Sequence, residues 1–300
     1  MRFLAGRSGV ARRDEPAEDR AGALFSRCAN PRCATGWMRL WRSRRGPGFE
    51  GRWACSAACM QELVAAAVRR EMDGEGPAEL VHRLPVGLVL LEQGRITQAQ
   101  LREALEAQRR TAGTEGESAR LGEWLMGSGV LSESALTRGL SAQWNCPVFG
   151  LEGWNPNEVA WVAPRILVEA MEALPVRVRG GKLLYLAFSS RIDRSLAYAL
   201  ERMTGMRVAA GIAPESELLD ARARYRETPA PAARYIEAGS SWLLARELAR
   251  RIEEQKPAEA RLVRVHDFFW LRLWRRRAEP PAIPALEDVE DMIGTVGARH

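Results

Sequence analysis

One segment of this chain occurs twice. Pro85–Gln108 reads PVGLVLLEQGRITQAQLREALEAQ, and Arg120–Gln143, offset by 35 residues, reads RLGEWLMGSGVLSESALTRGLSAQ. Gly87 aligns with Gly122, Gly94 with Gly129, Leu101 with Leu136, Leu105 with Leu140 and Gln108 with Gln143. Each copy of such a repeat must be one supersecondary unit that buries its apolar face against its neighbour. In each copy a short helix is expected after the first glycine, ending near the second, and a capped helix follows. Thr97-x-x-Gln100 has the capping-box pattern, and Ser132 is a suitable N-cap. Leucines four apart supply the apolar stripe. Two like hairpins present the same groups twice, which suits a ligand with two equivalent halves. The spacer RRTAGTEGESA, residues 109–119, reads as an exposed loop.

Around the repeat the chain divides by composition. Residues 1–22 are charged and aperiodic, the composition of a disordered segment. Residues 23–72 hold a cysteine module and a helix near Ala57–Met72, and the run Asp73 to Pro77 is a linker. The repeat fills 80–147. In 148–226, Pro156–Met171 is helical in pattern. Leu174–Arg179, Gly180-Gly181 and Lys182–Phe188 read as a β-hairpin. A helix near Ile192–Thr204, a strand at Arg207–Ile212 and a helix at Pro214–Arg226 complete a small α+β subdomain. After the stiff linker at 228–232, Ala233–Glu254 is expected to be an amphipathic helix. Leu262–Val265 and Phe268–Trp274 are expected to pair around His266-Asp267, giving a helix–hairpin element over 233–276. The remainder, 279–300, is Pro-rich and acidic at first and reads as a mobile tail. The fold class is α+β.

Five cysteines stand at 28, 33, 55, 59 and 146. Cys28, Cys33, Cys55 and Cys59 form two close pairs separated by 21 residues. That is the layout of a structural four-cysteine zinc site, in which two tight turns each aim two thiolates at one point. Trp37, Trp41 and Trp53 are available to pack a core too small to stand without the metal. The alternative is four buried or redox-active thiols. The segment FEGRWACSAAC resembles the end of treble-clef or ribbon-type zinc fingers. Cys146 reads as a packed small hydrophobe.

The net charge is +6, and residues 1–70 alone carry an excess of eight positive charges. Only this part is basic enough to suggest a polyanionic partner. Two roles stay open for the cysteine module: nucleic-acid binding, or a structural and protein-docking role. No apolar run approaches a membrane span and no secretion signal is legible, so a cytoplasmic protein without membrane insertion is expected.

The segment beginning Arg120-Leu121-Gly122 resembles a motif in the N-terminal domain of type II secretion and type IV pilus assembly ATPases. The pattern is Arg-Leu-Gly, an apolar pair, a second glycine, leucines four apart and a closing glutamine. Arg120, Leu121, Gly122, Leu125, Met126, Gly129, Leu136, Leu140 and Gln143 match it, as do Gly87, Leu90, Leu91, Gly94, Leu101, Leu105 and Gln108 in the first copy. Residues 148–226, including Asp193, resemble the second half of the same domain. A subset of these tandem motifs binds cyclic di-GMP, each copy holding one half. The resemblance therefore implies a nucleotide site at Arg120, Leu121, Gly122, Leu125 and Gln143, with Gly87, Leu90 and Gln108 from the first copy. It also implies a partner in the secretion or pilus machinery. The chemistry fits: a guanidinium recognises a guanine edge, and a glycine at a helix start admits phosphate.

Two departures matter. Pro85 and Val86 stand where the motif has arginine and leucine, and Arg83-Leu84 lies two residues early. A half-site without arginine loses a base contact worth about 1–3 kcal/mol. The family's ATPases also continue into a P-loop domain, whereas this sequence has no G-x4-G-K-[ST] and only two lysines, Lys182 and Lys256. Its histidines, His82, His266 and His300, stand in no ligand or triad spacing. The reading is a non-enzymatic adaptor or sensor with structural Zn2+. The alternative is a zinc-finger regulator that binds nucleic acid.

Overall fold

The computed structural model describes residues 28–33, 46–74, 76, 83–111, 120–276 and 284–297. Among these the chain is α+β with three small sheets. The segments 1–27 and 34–45, with most of the basic excess, and residues 112–119 of the spacer lie outside the described residues.

The cysteine module starts with a hairpin, β1 (Gly48–Phe49) and β2 (Arg52–Trp53), turning on Glu50 and Gly51. Both turn residues have positive φ, +50° and +72°, which the tight turn of a right-twisted hairpin requires. Helix α1 (Ala57–Asp73) follows, capped by Ser56, whose side chain accepts from the Cys59 amide. The repeat supplies α2 (Val86–Glu92) and α3 (Gln98–Thr111), then α4 (Leu121–Gly127) and α5 (Glu133–Trp144). Helix α3 thus absorbs the first three residues of the expected spacer loop.

The α+β subdomain is α6 (Arg165–Ala170), β3 (Ala173–Arg179), β4 (Leu183–Phe188), α7 (Arg194–Thr204), β5 (Arg207–Ile212) and α8 (Glu215–Glu227). Strand β4 lies between β3, antiparallel, and β5, parallel. The expected helix over Pro156–Met171 is instead a 3-10 turn at Pro156–Glu158, a turn region, and the short α6. Pro164 has no amide to donate and disfavours helical geometry in the residue before it, so the helix can begin only after it.

Two C-terminal expectations are corrected. Ala233–Glu254 is not one helix: β6 (Ala232–Ala238) runs first, and α9 (Ser241–Gln255) begins only after Ser240, whose side chain accepts from the Leu243 amide. The mobile tail contains β9 (Val289–Val296), an inner strand of a four-stranded sheet. With β7 (Glu259–Val265) and β8 (Phe268–Trp274), the sheet order is β6-β9-β8-β7. Strand β9 pairs parallel with β6 and antiparallel with β8. These partners are distant in the chain, so no local signal marks β6 or β9 as strands.

Both faces of this sheet are buried. Leu262, Phe269, Leu271, Leu273 and Met292 pack against α1 and α9, while Val263, Val265, Trp270 and Ile293 join the α+β core. The side chains of Phe269, Trp270, Leu271 and Leu273 are therefore interior to the fold. The cysteine module is part of the same body. The Gly48 and Glu50 amides donate to the carbonyls of Pro257 and Ala260 at 3.1 and 2.7 Å, so β1 lies along the outer edge of β7.

Two polar clusters tie the layers. Arg272 and Asp291, 0% and 1% exposed, are joined at 2.7 and 2.8 Å in a two-point pair. The Trp270 indole also donates to Asp291, and Arg272 donates to the Val162 carbonyl. Glu71 on α1 accepts two bonds from Arg202 on α7, two from Arg70, and one from the Arg264 amide on β7. Burial alone would raise the Glu71 carboxyl. Arg202 and Arg70 outweigh it and hold the group below its ordinary range.

Candidate functional site

The two repeat copies agree in detail. Helices α2 and α4 start from N-cap residues with nearly the same backbone, Pro85 (φ −54°, ψ 140°) and Arg120 (φ −64°, ψ 145°). Gly94 and Gly129 both take positive φ, +65° and +72°. Thr97 and Gln100 form the capping box, and Ser132 accepts from the Ala135 amide. A β-carbon on Gly87 would come within 2.7 Å of Leu101, and one on Gly122 within 2.7 Å of Leu136. These glycines are where the second helix of each hairpin crosses over the first.

The eight residues expected at a nucleotide site fall into distinct environments. Leu90 and Leu125 are fully buried in the repeat core. Gly87 lies under Leu101 and also faces Leu121, which brings the two copies together at that point. Gln143 donates to the Leu84 carbonyl at 2.7 Å, and Gln108 is half-buried near the end of α3. Arg120 points outward with a side chain 54% exposed. Its guanidinium donates to the Ser190 hydroxyl at 3.2 Å and lies 3.5 Å from Glu172.

Sequence reasoning missed what surrounds Arg120. Arg83 stacks on the Trp144 ring, its guanidinium carbon 3.2 Å from the ring centroid. The Trp144 indole donates to the Ser190 carbonyl at 3.0 Å. Trp144 stands just outside the doubled segment, which ends at Gln143, and nothing local ties it to residue 83 or 190.

The four paired cysteines converge. The sulfurs of Cys28, Cys33, Cys55 and Cys59 all lie within 4.8 Å of one another. Cys33–Cys55 and Cys55–Cys59 approach to 3.5 and 3.4 Å. A tetrahedral zinc–thiolate site with bonds of about 2.3 Å has sulfur–sulfur edges of about 3.8 Å, so the donor set suits a metal ion. Each pair sits on a built turn. The Asn30 side chain accepts from the Arg32 amide and its carbonyl from Cys33. Ser56 caps α1, which puts Cys59 in the first helical turn, where the helix dipole favours a thiolate. Burial pushes the Cys28 thiol up to about 11, partly opposed by a hydrogen bond from the Asn30 backbone and reinforced by the neighbouring Cys59 and Cys33. A cation in the cluster reverses that balance by favouring the charged sulfurs.

No known family model matches the chain. The type IV pilus assembly ATPase PilB of Myxococcus xanthus (strain DK1622) is 26% identical over 198 residues, 64% of this chain. The chain resembles the N-terminal domain of secretion and pilus assembly ATPases. It covers only 34% of the length of PilB. Among solved structures, MshE with cyclic di-GMP is 32% identical, with a TM-score of 0.40 over 48% of this chain and 99% of the other. The N-terminal domain of XpsE is 18% identical, with a TM-score of 0.35 over 47% of this chain and 92% of the other. Among the described residues no helix is long and apolar enough to cross a membrane.

Proposed function

We propose that this protein is a non-enzymatic adaptor of a secretion or pilus assembly system, with a cyclic di-GMP-sensing repeat and a structural zinc site. The observation that carries the reading is the agreement of the two repeat copies in caps, glycine contacts and buried leucines, with Arg120 projecting from the start of α4. A guanidinium so exposed can exchange its bonds to Ser190 and Glu172 for a guanine edge or a phosphate. Isothermal titration with cyclic di-GMP tests the sensor, beside Arg120→Ala. Binding that weakens roughly 5- to 150-fold in the variant, the value of one base contact, supports it. No heat at high micromolar ligand removes the sensor and leaves the adaptor.

Zinc is the metal that best suits four thiolates at these separations, and elemental analysis should return one zinc per chain. Helix α1 is packed against α9, so it is not free to enter a nucleic-acid groove. That supports the structural role of the module over the nucleic-acid reading. Retention of a secretion or pilus component in a pull-down, with no salt-dependent DNA shift, is the expected result.

A further inference from the structure

We propose, resting on the adaptor reading above, that the open end of the β3–β4–β5 sheet is the docking surface for an acidic peptide segment of the partner protein.

Strand β4 has two unlike faces. Leu184, Leu186 and Phe188 are at most 1% exposed in the α+β core, while Leu183 and Tyr185 on the opposite face are half-buried. Residues directly opposite each other in a sheet share a face. The register therefore sets Arg177, Tyr185 and Ala209 in one row and Arg179, Leu183 and Arg207 in the next. All three arginines are exposed, and so is Lys182 in the turn between β3 and β4. Toward its other end the same face is closed, because the row of Leu174, Ala187 and Gly211 is buried. A β-carbon on Gly211 would come within 2.5 Å of the Phe149 ring, which lies edge to face with Tyr185 at 5.7 Å. Phe149 thus walls a short ledge with an apolar floor, Leu183, Tyr185 and Ala209, and a cationic rim.

The rim charge takes no part in holding the fold. Strands β3, β4 and β5 contain no aspartate or glutamate. Among the described residues Arg177, Arg179, Lys182 and Arg207 have no carboxylate partner. Arginines that join elements do have one: Arg202 holds Glu71, Arg222 holds Glu169 and Arg251 holds Glu290. Two residues along β3 separate Arg177 from Arg179 by about 7 Å, and two strands separate Arg179 from Arg207 by about 10 Å. The Debye length at physiological salt is about 8 Å, so these cations repel one another until an anion lies among them.

An extended acidic peptide has the matching form. Alternate side chains of such a chain fall about 7 Å apart on one face, so acidic side chains meet the rim while apolar ones between them cover Leu183 and Tyr185. Other polyanions fit less well. Duplex nucleic acid is read by an element that enters a groove, and this site is a sheet surface. Single strands stack on open ring faces, whereas Phe149 and Tyr185 are half-buried against each other. Membrane surfaces are held by apolar side chains that project into them, and the floor residues are half-buried.

The test is fluorescence anisotropy of a short fluorescein-labelled peptide repeating Glu-Glu-Leu-Leu, titrated with the full chain. Three forms are compared: wild type, Arg177→Glu with Arg207→Glu, and Arg246→Glu on the exposed face of α9. Wild type and Arg246→Glu should bind alike and more weakly as salt rises. The double variant should bind about tenfold more weakly, with an unchanged thermal melt because both side chains are exposed. Equal loss in Arg246→Glu would mean that net charge alone attracts the peptide, and overturns the site. Labelled oligothymidine or phosphatidylserine vesicles that depend on the two arginines, where the peptide does not, overturn the peptide as occupant. No peptide binding by wild type overturns the proposal outright. A secretion or pilus component retained equally by wild type and the double variant would leave the adaptor standing and remove this ledge as its docking surface.

Discussion

The tandem repeat and the four-stranded sheet solve the burial problem in opposite ways. In the repeat all partners lie within one pair of hairpins: Gly87 meets Leu101, Gly122 meets Leu136, and Gly139 of α5 meets Leu90 of α2. In the sheet, neighbours come from far apart: β6 pairs with β9, and β1 of the cysteine module runs along β7. The repeat closes within residues 86–144, its copies meeting through α2 and α5, whereas the sheet exists only when both flanks of the chain are brought to it. The two regions should therefore respond differently to damage.

Metal removal should separate them most. Structural zinc contributes about 10–16 kcal/mol in small finger peptides. Strong chelation is expected to expose the amides of β1, α1 and the β7 edge to hydrogen exchange while α2–α5 stay protected. Equal protection before and after chelation would deny that the cysteines clamp the sheet. Next comes Asp291→Ala, which strands a fully buried Arg272. The cost should be about 3–5 kcal/mol in denaturant unfolding, and Arg272→Met with Asp291→Leu should return most of it. An unaltered midpoint in the single variant would contradict the buried pair.

Gly87→Ala acts on the other region. Its β-carbon would meet Leu101 and Leu121 at 2.7 and 2.9 Å, and overpacking of this kind costs about 1–3 kcal/mol. Exchange should rise in α2–α5 and not in β6–β9; a uniform rise would mean the repeat and sheet unfold as one unit. The smallest effect is expected in acid. Glu71 is held below its ordinary range by Arg202 and Arg70. Its contribution is present above the unfolded-state value near 4.5 and is lost as pH falls through the lower folded value. Glu71→Gln should therefore melt lower than wild type at neutral pH and converge with it in strong acid. A gap that persists there would assign Glu71 a packing role only.

Legibility in the sequence follows the same divide. Glycines at fixed offsets and Ser132 as a cap act over a few residues and formed as read, and the two close cysteine pairs converge. AARYIEA, by contrast, suits a helix as well as a strand. It becomes β6 because β9 lies beside it and because Gly239-Ser240 offers α9 a later start. The stretch VEDMIGTV carried too little local pattern to be read as more than tail, yet its parallel and antiparallel partners make it an inner strand. At the proposed nucleotide site the motif residues are readable. The stack of Arg83 on Trp144 is not, since it depends on Leu84 lying against Gln143 of the second copy.

The place of β9 also sets a timetable. The ribosome delivers the repeat and the α+β subdomain complete, and each can settle as it emerges. Helix α1 appears far earlier than the sheet it covers, and β6 and β8 appear before the strand that lies between them. Until residue 296 has left the exit tunnel, the facing edges of β6 and β8 have no permanent cover. Until then the nascent chain is exposed to aggregation and to chaperones at these edges, although the repeat and the α+β subdomain have already folded.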